Sequence, residues 1–150
     1  MAGLYFEQFE IGQIFDHEVR RTVTDHDNML FSALTYNPAA IHIDHDYAAK
    51  TEFGKPLMKS IFTLGLVIGL TVQDTTFGTT IANLGMQETT FPLPVFAGDT
   101  IRARTEVKAI RESKSRPTRG IVTFEHVGLN QRDEIVCRTL RGALMMKSPA

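Results

Sequence analysis

The chain has one cysteine, Cys137, in 150 residues. It therefore has no internal disulfide, and a zinc site built on cysteine pairs is excluded. Net charge is close to absent too, at −1 near neutral pH. General nucleic-acid or anionic-membrane binding calls for a strong basic balance, so this charge argues against both. The uncharged run Ile61–Val72 (IFTLGLVIGLTV) is clearly shorter than the roughly 20 apolar residues that span a bilayer. It predicts a helix buried on all sides instead. Gly65 and Gly69 share one face of that helix and predict a close approach of sheet or backbone there. The opening Met1–Glu7 has no basic stretch followed by an apolar run, so it does not read as a signal peptide, and a cytoplasmic location is expected. There is no linker, repeat or low-complexity stretch, and one domain over 1–150 is expected.

What is present is an ordinary globular composition, 43% hydrophobic and 22% charged, long enough for a real core. Residues 14–24 are rich in β-branched and apolar types and read as a strand. Thr24, with Asp27 three residues on, starts a helix. Met29, Leu30, Ala33 and Leu34 follow at core spacing. That helix must stop near Asn37, because Pro38 pushes its predecessor out of the helical region. Asp44 caps a short helix through Ala48 and Ala49 that closes at Gly54 and Pro56. The uncharged helix should run from about Ser60 to Asp74. Beyond Gly78 the period changes to that of strands. In 101–109, Ile101, Ala103, Thr105, Val107 and Ala109 alternate with Arg102, Arg104, Glu106 and Lys108, as in a half-exposed antiparallel strand. Segments 120–129 and 134–146 read as two more, joined by a turn at 130–133, and 79–91 as a fourth. Pattern alone gives α+β with a central buried helix.

The stretch Leu34-Thr35-Tyr36-Asn37-Pro38-Ala39-Ala40-Ile41-His42-Ile43-Asp44, followed by Tyr47-Ala48-Ala49, resembles the signature of R-specific enoyl-CoA hydratases and MaoC-like dehydratases. Phe53-Gly54-Lys55-Pro56 and Phe91-Pro92-Leu93-Pro94-Val95-Phe96-Ala97-Gly98-Asp99-Thr100 resemble further landmarks of that family, so the likeness covers most of the chain. It implies a hot-dog fold, an antiparallel sheet wrapped around a long apolar central helix. It implies hydration or dehydration of an enoyl-CoA thioester, with coenzyme A entering as part of the substrate and no other cofactor. His42 falls at the family's catalytic histidine. Asn37 falls where the family usually has an aspartate, and Ala39 and Ala40 where it usually has Asn-Pro. Asparagine at this point, with Glu112–Pro117, resembles the subgroup acting on branched C5 dicarboxylyl-CoA substrates such as itaconyl-CoA and mesaconyl-CoA. A homodimer or higher homo-oligomer is implied, since a single hot-dog sheet leaves its edges open.

The chemistry suits these residue types. Hydration needs a base for water, a proton for the α-carbon and donors for the oxyanion on the thioester oxygen. A neutral histidine can take the water proton. An asparagine can hold water but transfers no proton. His42 is thus expected to carry the proton traffic, with Asn37 orienting water or substrate. Oxyanion donors are expected at the start of the uncharged helix, at Ser60 and Ile61, where N–H groups are free. The family often has His-Gly where this chain has Lys59-Ser60. Lys59 would suit a substrate with a second carboxylate. Arg111, Lys114 and Arg116, with Arg119, form a basic cluster that fits either CoA phosphates or a solvated hairpin tip. His42, Asp44 and His45 sit too tightly on one segment to converge on a metal, and none is expected. His17, His26 and His126 carry no assigned task. Three rival readings share this ground: a hot-dog thioesterase, against which counts the lack of any acid between Glu52 and Asp74; a dehydratase of carrier-protein thioesters; and a non-catalytic acyl-CoA-binding module.

Overall fold

Alternating apolar and polar residues build one antiparallel sheet, seen in a computed structural model that describes residues 3–149. Its strands are β1 (Ile14–Thr22), β2 (Thr80–Thr90), β3 (Thr100–Glu112), β4 (Arg119–Leu129) and β5 (Ile135–Met146), in the order β1-β3-β4-β5-β2. All five expected strands are present. The expected alternation in β3 holds only as far as its middle. Ile101, Ala103, Thr105 and Val107 are fully buried. Ala109 is exposed, because the β3–β4 register shifts between Val107 and Ala109 and turns the following residues over. Ile110 then packs inward, and the strand runs on to Glu112.

The uncharged helix, α4 (Ser60–Thr75), lies in the concave face of the sheet. Leu64, Val67 and Leu70 pack there with Val23, Met58, Val95, Ile101, Ala103 and Val136. Each such side chain taken out of water is worth about 1.5–3 kcal/mol. Cys137 lies in the same cluster, and burial pushes its thiol up to about 11, which keeps it protonated and inert. The expectation of burial on all sides is corrected here. Ile61, Gly65, Gly69 and Gln73, four apart, form an exposed stripe. A Cβ on Gly65 or Gly69 would meet nothing within 4 Å. The close approach is made by the sheet: a Cβ on Gly128 of β4 would stand 2.4 Å from Val67 Cγ2. The helix carried the visible glycines, but the missing side chain that matters belongs to the strand.

A second apolar cluster, with Phe6, Phe9, Val107, Val122, Phe124, Ala143 and Met145, fills the other end of the sheet. A polar chain crosses the buried interior. Asp74 Oδ2 lies 2.7 Å from His17 Nδ1, His17 Nε2 lies 2.9 Å from Thr105 Oγ1, and Thr105 Oγ1 lies 2.8 Å from His126 Nδ1. An ionised carboxylate only accepts, so His17 donates through Nδ1 and accepts at Nε2 from the Thr105 hydroxyl. That hydroxyl in turn accepts from His126 Nδ1. His17 and His126 are therefore buried structural links.

Burial, then the charge of Arg141, holds His126 well below its ordinary value of 6.5. The folded chain keeps this imidazole neutral where the unfolded chain takes up a proton. Below about pH 6.5 the unfolded state thus binds more protons, and stability falls with falling pH. His126→Gln is expected to flatten the acid limb by up to about 1.4 kcal/mol per pH unit, read from urea unfolding across that range. An unchanged slope would mean that His126 does not control it.

Candidate active site

The site is assembled from three short segments, and each is set by a local rule. Helix α1 (Asp25–Leu34) starts at Thr24, whose hydroxyl accepts from Asp27 N–H while the Asp27 carboxylate accepts from Thr24 N–H, the capping box expected from sequence. The helix closes on Tyr36, which takes a left-handed conformation at φ 53°, while Asn37 N–H donates back to the Ser32 carbonyl at 3.1 Å. That closure aims Asn37. Its side-chain oxygen accepts from Ala39 N–H at 3.1 Å, which leaves its NH₂ group as the outward donor. Helix α2 (Ala40–Ile43) then carries His42, and Asp44 caps α3 (His45–Ala49) through Tyr47 N–H, as expected.

The buried face of α1 differs from the expected one. Met29, Leu30 and Leu34 are exposed, and Ala33 with them. Asn28 and Ser32, also four apart, point inward. The reason is hydrogen bonding: the segment beneath α1 is irregular backbone that needs polar partners. Asn28, fully buried, donates through Nδ2 to the carbonyls of His42 (2.6 Å) and Leu57 (3.0 Å), and its oxygen accepts from Lys59 N–H (3.1 Å). One amide thus joins α1, α2 and the lead-in to α4. Sequence reasoning missed Asn28. The available signal was its polar pairing with Ser32 at helical spacing.

Phe31, Thr35, Asn37, His42, Lys59, Ser60 and Ile61 line a cavity of about 350 Å³. Five of the residues expected from sequence therefore meet in one place: His42, Asn37, Lys59, Ser60 and Ile61. His42 Nδ1 lies 2.6 Å from the Leu57 carbonyl oxygen. A carbonyl only accepts, so Nδ1 carries the proton and Nε2 holds the lone pair. The imidazole is therefore set up as a base at Nε2. At the start of α4 no side chain caps the helix; Lys59 occupies the cap position without such a bond. Ser60 and Ile61 line the cavity, and as the first residues of an uncapped helix they bring the positive end of its dipole to it. Lys59 itself is buried, and no acceptor among the described residues reaches its Nζ. Its burial lowers the ammonium's pKa.

Other neighbours have tasks of their own. Asp44 is a helix cap, and His45 lies 3.7 Å from Asp25. Arg111, Lys114 and Arg116 belong to the β3–β4 hairpin, none of them among the cavity's lining. The hairpin end of β4 packs near Phe6 at Gly120, whereas Gly128 at the other end meets α4. Within one chain the basic cluster is thus at the far end of the sheet from His42.

Residues 6–130 match the MaoC-like domain family. The chain is 32% identical to the beta-methylmalyl-CoA dehydratase of Chloroflexus aurantiacus, over 97% of this chain and 41% of that protein. It is also 32% identical to a mesaconyl-CoA hydratase of Cereibacter sphaeroides, over 97% of this chain and 42% of that one. The chain therefore spans about two fifths of the length of these two relatives. In shape it is similar to a monoamine oxidase regulatory protein from Archaeoglobus, with a TM-score of 0.87 and 33% identity over 99% of this chain and 98% of that one. A double-hot-dog protein of Mycobacterium tuberculosis matches with a TM-score of 0.87 and 25% identity, over 98% of this chain and 45% of that one.

Removing the Asn28 amide would strand two carbonyls and one N–H. Asn28→Ala is expected to cost about 2–4 kcal/mol in urea unfolding. Asn28→Asp, which can still accept from Lys59 N–H but cannot donate to the two carbonyls, should also destabilise. Wild-type stability in both variants would show that the amide holds nothing together.

Proposed function

The chain belongs to the MaoC-like domain family, and from that premise we propose that it is a hydro-lyase adding water to, or removing it from, the acyl chain of an enoyl-CoA thioester. The observation that carries this reading is the meeting of a base with a fixed lone pair, His42 Nε2, and an uncapped helix start in one cavity. In the hydration direction, His42 Nε2 takes a proton from water as the water oxygen bonds to the β-carbon. The double-bond electrons move toward the thioester oxygen. The N–H groups of Ser60 and Ile61 stabilise that developing oxyanion. His42 then returns its proton to the α-carbon, and the imidazole is neutral again. One H and one OH are added, and the enzyme is unchanged. Asn37 donates through its NH₂ group to the water oxygen and holds it in line; it moves no proton.

Several features support the rest of the reading. The one acid of α4 does not suit a thioesterase: Asp74, in its last turn, is bound to His17. The substrate brings coenzyme A, and no further cofactor is part of the proposal. The working unit we propose is a homodimer or higher homo-oligomer. β2 lies at the sheet edge, paired with β5 only, and carries exposed Leu84 and Met86. Light scattering is expected to give at least twice the 16.8 kDa of one chain; a monomer at working concentration would sink this part. Arg111, Lys114 and Arg116 would then meet CoA phosphates only from a second copy. Among the described residues no helix is long and apolar enough to cross a membrane.

The test is a panel of crotonyl-CoA, mesaconyl-CoA and itaconyl-CoA, followed by loss of enoyl absorbance. Turnover of at least one is expected, and silence on all would favour the binding module. His42→Ala should lower kcat by at least about 10²–10⁴-fold with the fold intact by circular dichroism. Retained turnover would remove His42 from the mechanism. Asn37→Asp should keep substantial turnover on the panel. Its loss would mean that the amide donates a bond that a carboxylate cannot.

A further inference from the structure

We infer that Asn28 is a positioning residue for turnover: it sets the base and the oxyanion donors at their working separation, so the chemical step depends on it and not the fold alone. The inference rests on the hydratase reading and deepens it. Asn28 is fully buried and is not among the residues that line the cavity, so it touches no substrate. Whatever it does for the reaction it does through His42 and the start of α4.

Both hydrogens of one nitrogen, Nδ2, go to carbonyls that decide where the base stands. One is the carbonyl of His42 itself, at 2.6 Å. The other is that of Leu57, at 3.0 Å, and the same Leu57 oxygen accepts from His42 Nδ1 at 2.6 Å. The first bond holds the main chain from which the imidazole hangs. The second holds the atom at which the ring is aimed. A carbonyl has two lone pairs, and at Leu57 the ring takes one and the amide the other. The orienting oxygen is thus itself held from a second side. Tying both ends to a single atom leaves the imidazole little room to swing or to exchange its tautomer.

The other half of the amide reaches the other half of the chemistry. Asn28 Oδ1 accepts from Lys59 N–H at 3.1 Å. Lys59 is the cap residue of α4, and the next N–H groups along the chain are those of Ser60 and Ile61, the proposed oxyanion donors. The amide cannot be turned over, because two carbonyls need a donor and one N–H needs an acceptor. Base and oxyanion donors are therefore both placed by one planar group. Hydration needs that spacing. Water adds at the β-carbon while charge develops on the thioester oxygen, and a misplacement of about 1 Å can cost about 10²-fold in rate. The helix that carries the amide is fixed in turn: Asp27 accepts from Arg21 of β1 at 2.6 Å, and Ser32 Oγ donates to the Asn28 carbonyl at 2.7 Å.

The experiment uses the full chain with Asn28→Asp and Asn28→Leu, at a temperature where circular dichroism shows each variant folded. The carboxylate still accepts from Lys59 N–H but donates to neither carbonyl; leucine is close in volume and makes none of the bonds. Turnover is followed on whichever thioester of the panel the wild type takes. Binding is read by calorimetry with butyryl-CoA, which is saturated and is not turned over. In each variant kcat is expected to fall about 10²-fold or more, with Kd for butyryl-CoA near its wild-type value. Nitrogen NMR of the imidazoles supplies a readout that needs no turnover. At about pH 8 wild-type His42 should carry its proton on Nδ1, and both variants should show the two tautomers mixed. A residue that serves the fold alone would lower the unfolding midpoint and leave kcat and tautomer of the folded variant unchanged, and that result overturns the inference. So does a wild-type His42 protonated on Nε2, which is read even where neither variant folds. A fall in kcat matched by an equal loss of butyryl-CoA binding overturns it too, since the site has then collapsed. The two readings fail separately. A wild type silent on every thioester whose tautomer still depends on Asn28 would sink the hydratase reading alone. Turnover that needs His42 while kcat and tautomer ignore Asn28 would sink this one alone.

Discussion

One buried amide holds the site together. Asn28 lies in the first turns of α1, yet its partners are the His42 carbonyl, the Leu57 carbonyl and the Lys59 N–H. Those three residues carry the base, the acceptor that fixes the base's tautomer, and the cap position of the long helix. The bonds are all from side chain to backbone. They therefore constrain chain path rather than side-chain choice, and they do so inside protein, where an unmet backbone group is costly. Everything else in the site is hung on that path. The lead-in to α4 is tied again by Leu57 N–H to the Ile41 carbonyl and Met58 N–H to the Val95 carbonyl. The apolar seating of α4 on the sheet then fixes the direction in which its uncapped first turn points.

Much of this was legible in the sequence, for reasons that differ between elements. The strands were, because a sheet with one buried face writes period two into its residues. The start of α1 and the cap of α3 were, because Thr24 with Asp27 and Asp44 with Tyr47 N–H are local devices needing no tertiary partner. The five site residues that meet in the cavity were reached through a family likeness, with chemistry supplying a reason for each. What sequence could not give were decisions taken between elements. The inward face of α1 is one: Met29, Leu30 and Leu34 form a convincing apolar stripe, but the segment beneath needs hydrogen bonds more than contact area, so Asn28 and Ser32 face inward. The exposed glycines of α4 are another, since Gly128 and not Gly65 or Gly69 sets how near helix and sheet come. The turnover of alternation after Val107 is a third, set by pairing with β4. The basic hairpin is a fourth; its distance from His42 within one chain follows from topology alone.

The interior is not uniformly apolar. Two hydrophobic clusters fill the sheet's concave face, and the Asp74–His17–Thr105–His126 chain also lies within it. Its bonds run in one direction, each hydrogen committed to the next acceptor. Such a chain specifies partners in a way that interchangeable aliphatic side chains do not. It fixes β1 against β3 and β4 by identity, and gives the end of α4 a hydrogen-bonded tie to β1. The two helix ends are thus treated oppositely. The far end is bound to the sheet by Asp74, while the near end is left with free N–H groups for a ligand.

The bond from His42 Nδ1 to the Leu57 carbonyl has a consequence for how such a site can change over generations. In many enzymes the orienting partner of the histidine is a carboxylate, and one nucleotide change can remove it. Here the partner is main chain, present whatever residue occupies position 57. The base is therefore shielded from point substitution at its own support. The side chains that line the cavity at positions 37 and 59 have no such shield. A lineage built this way can alter its lining in single steps while the support of its base stays as it was.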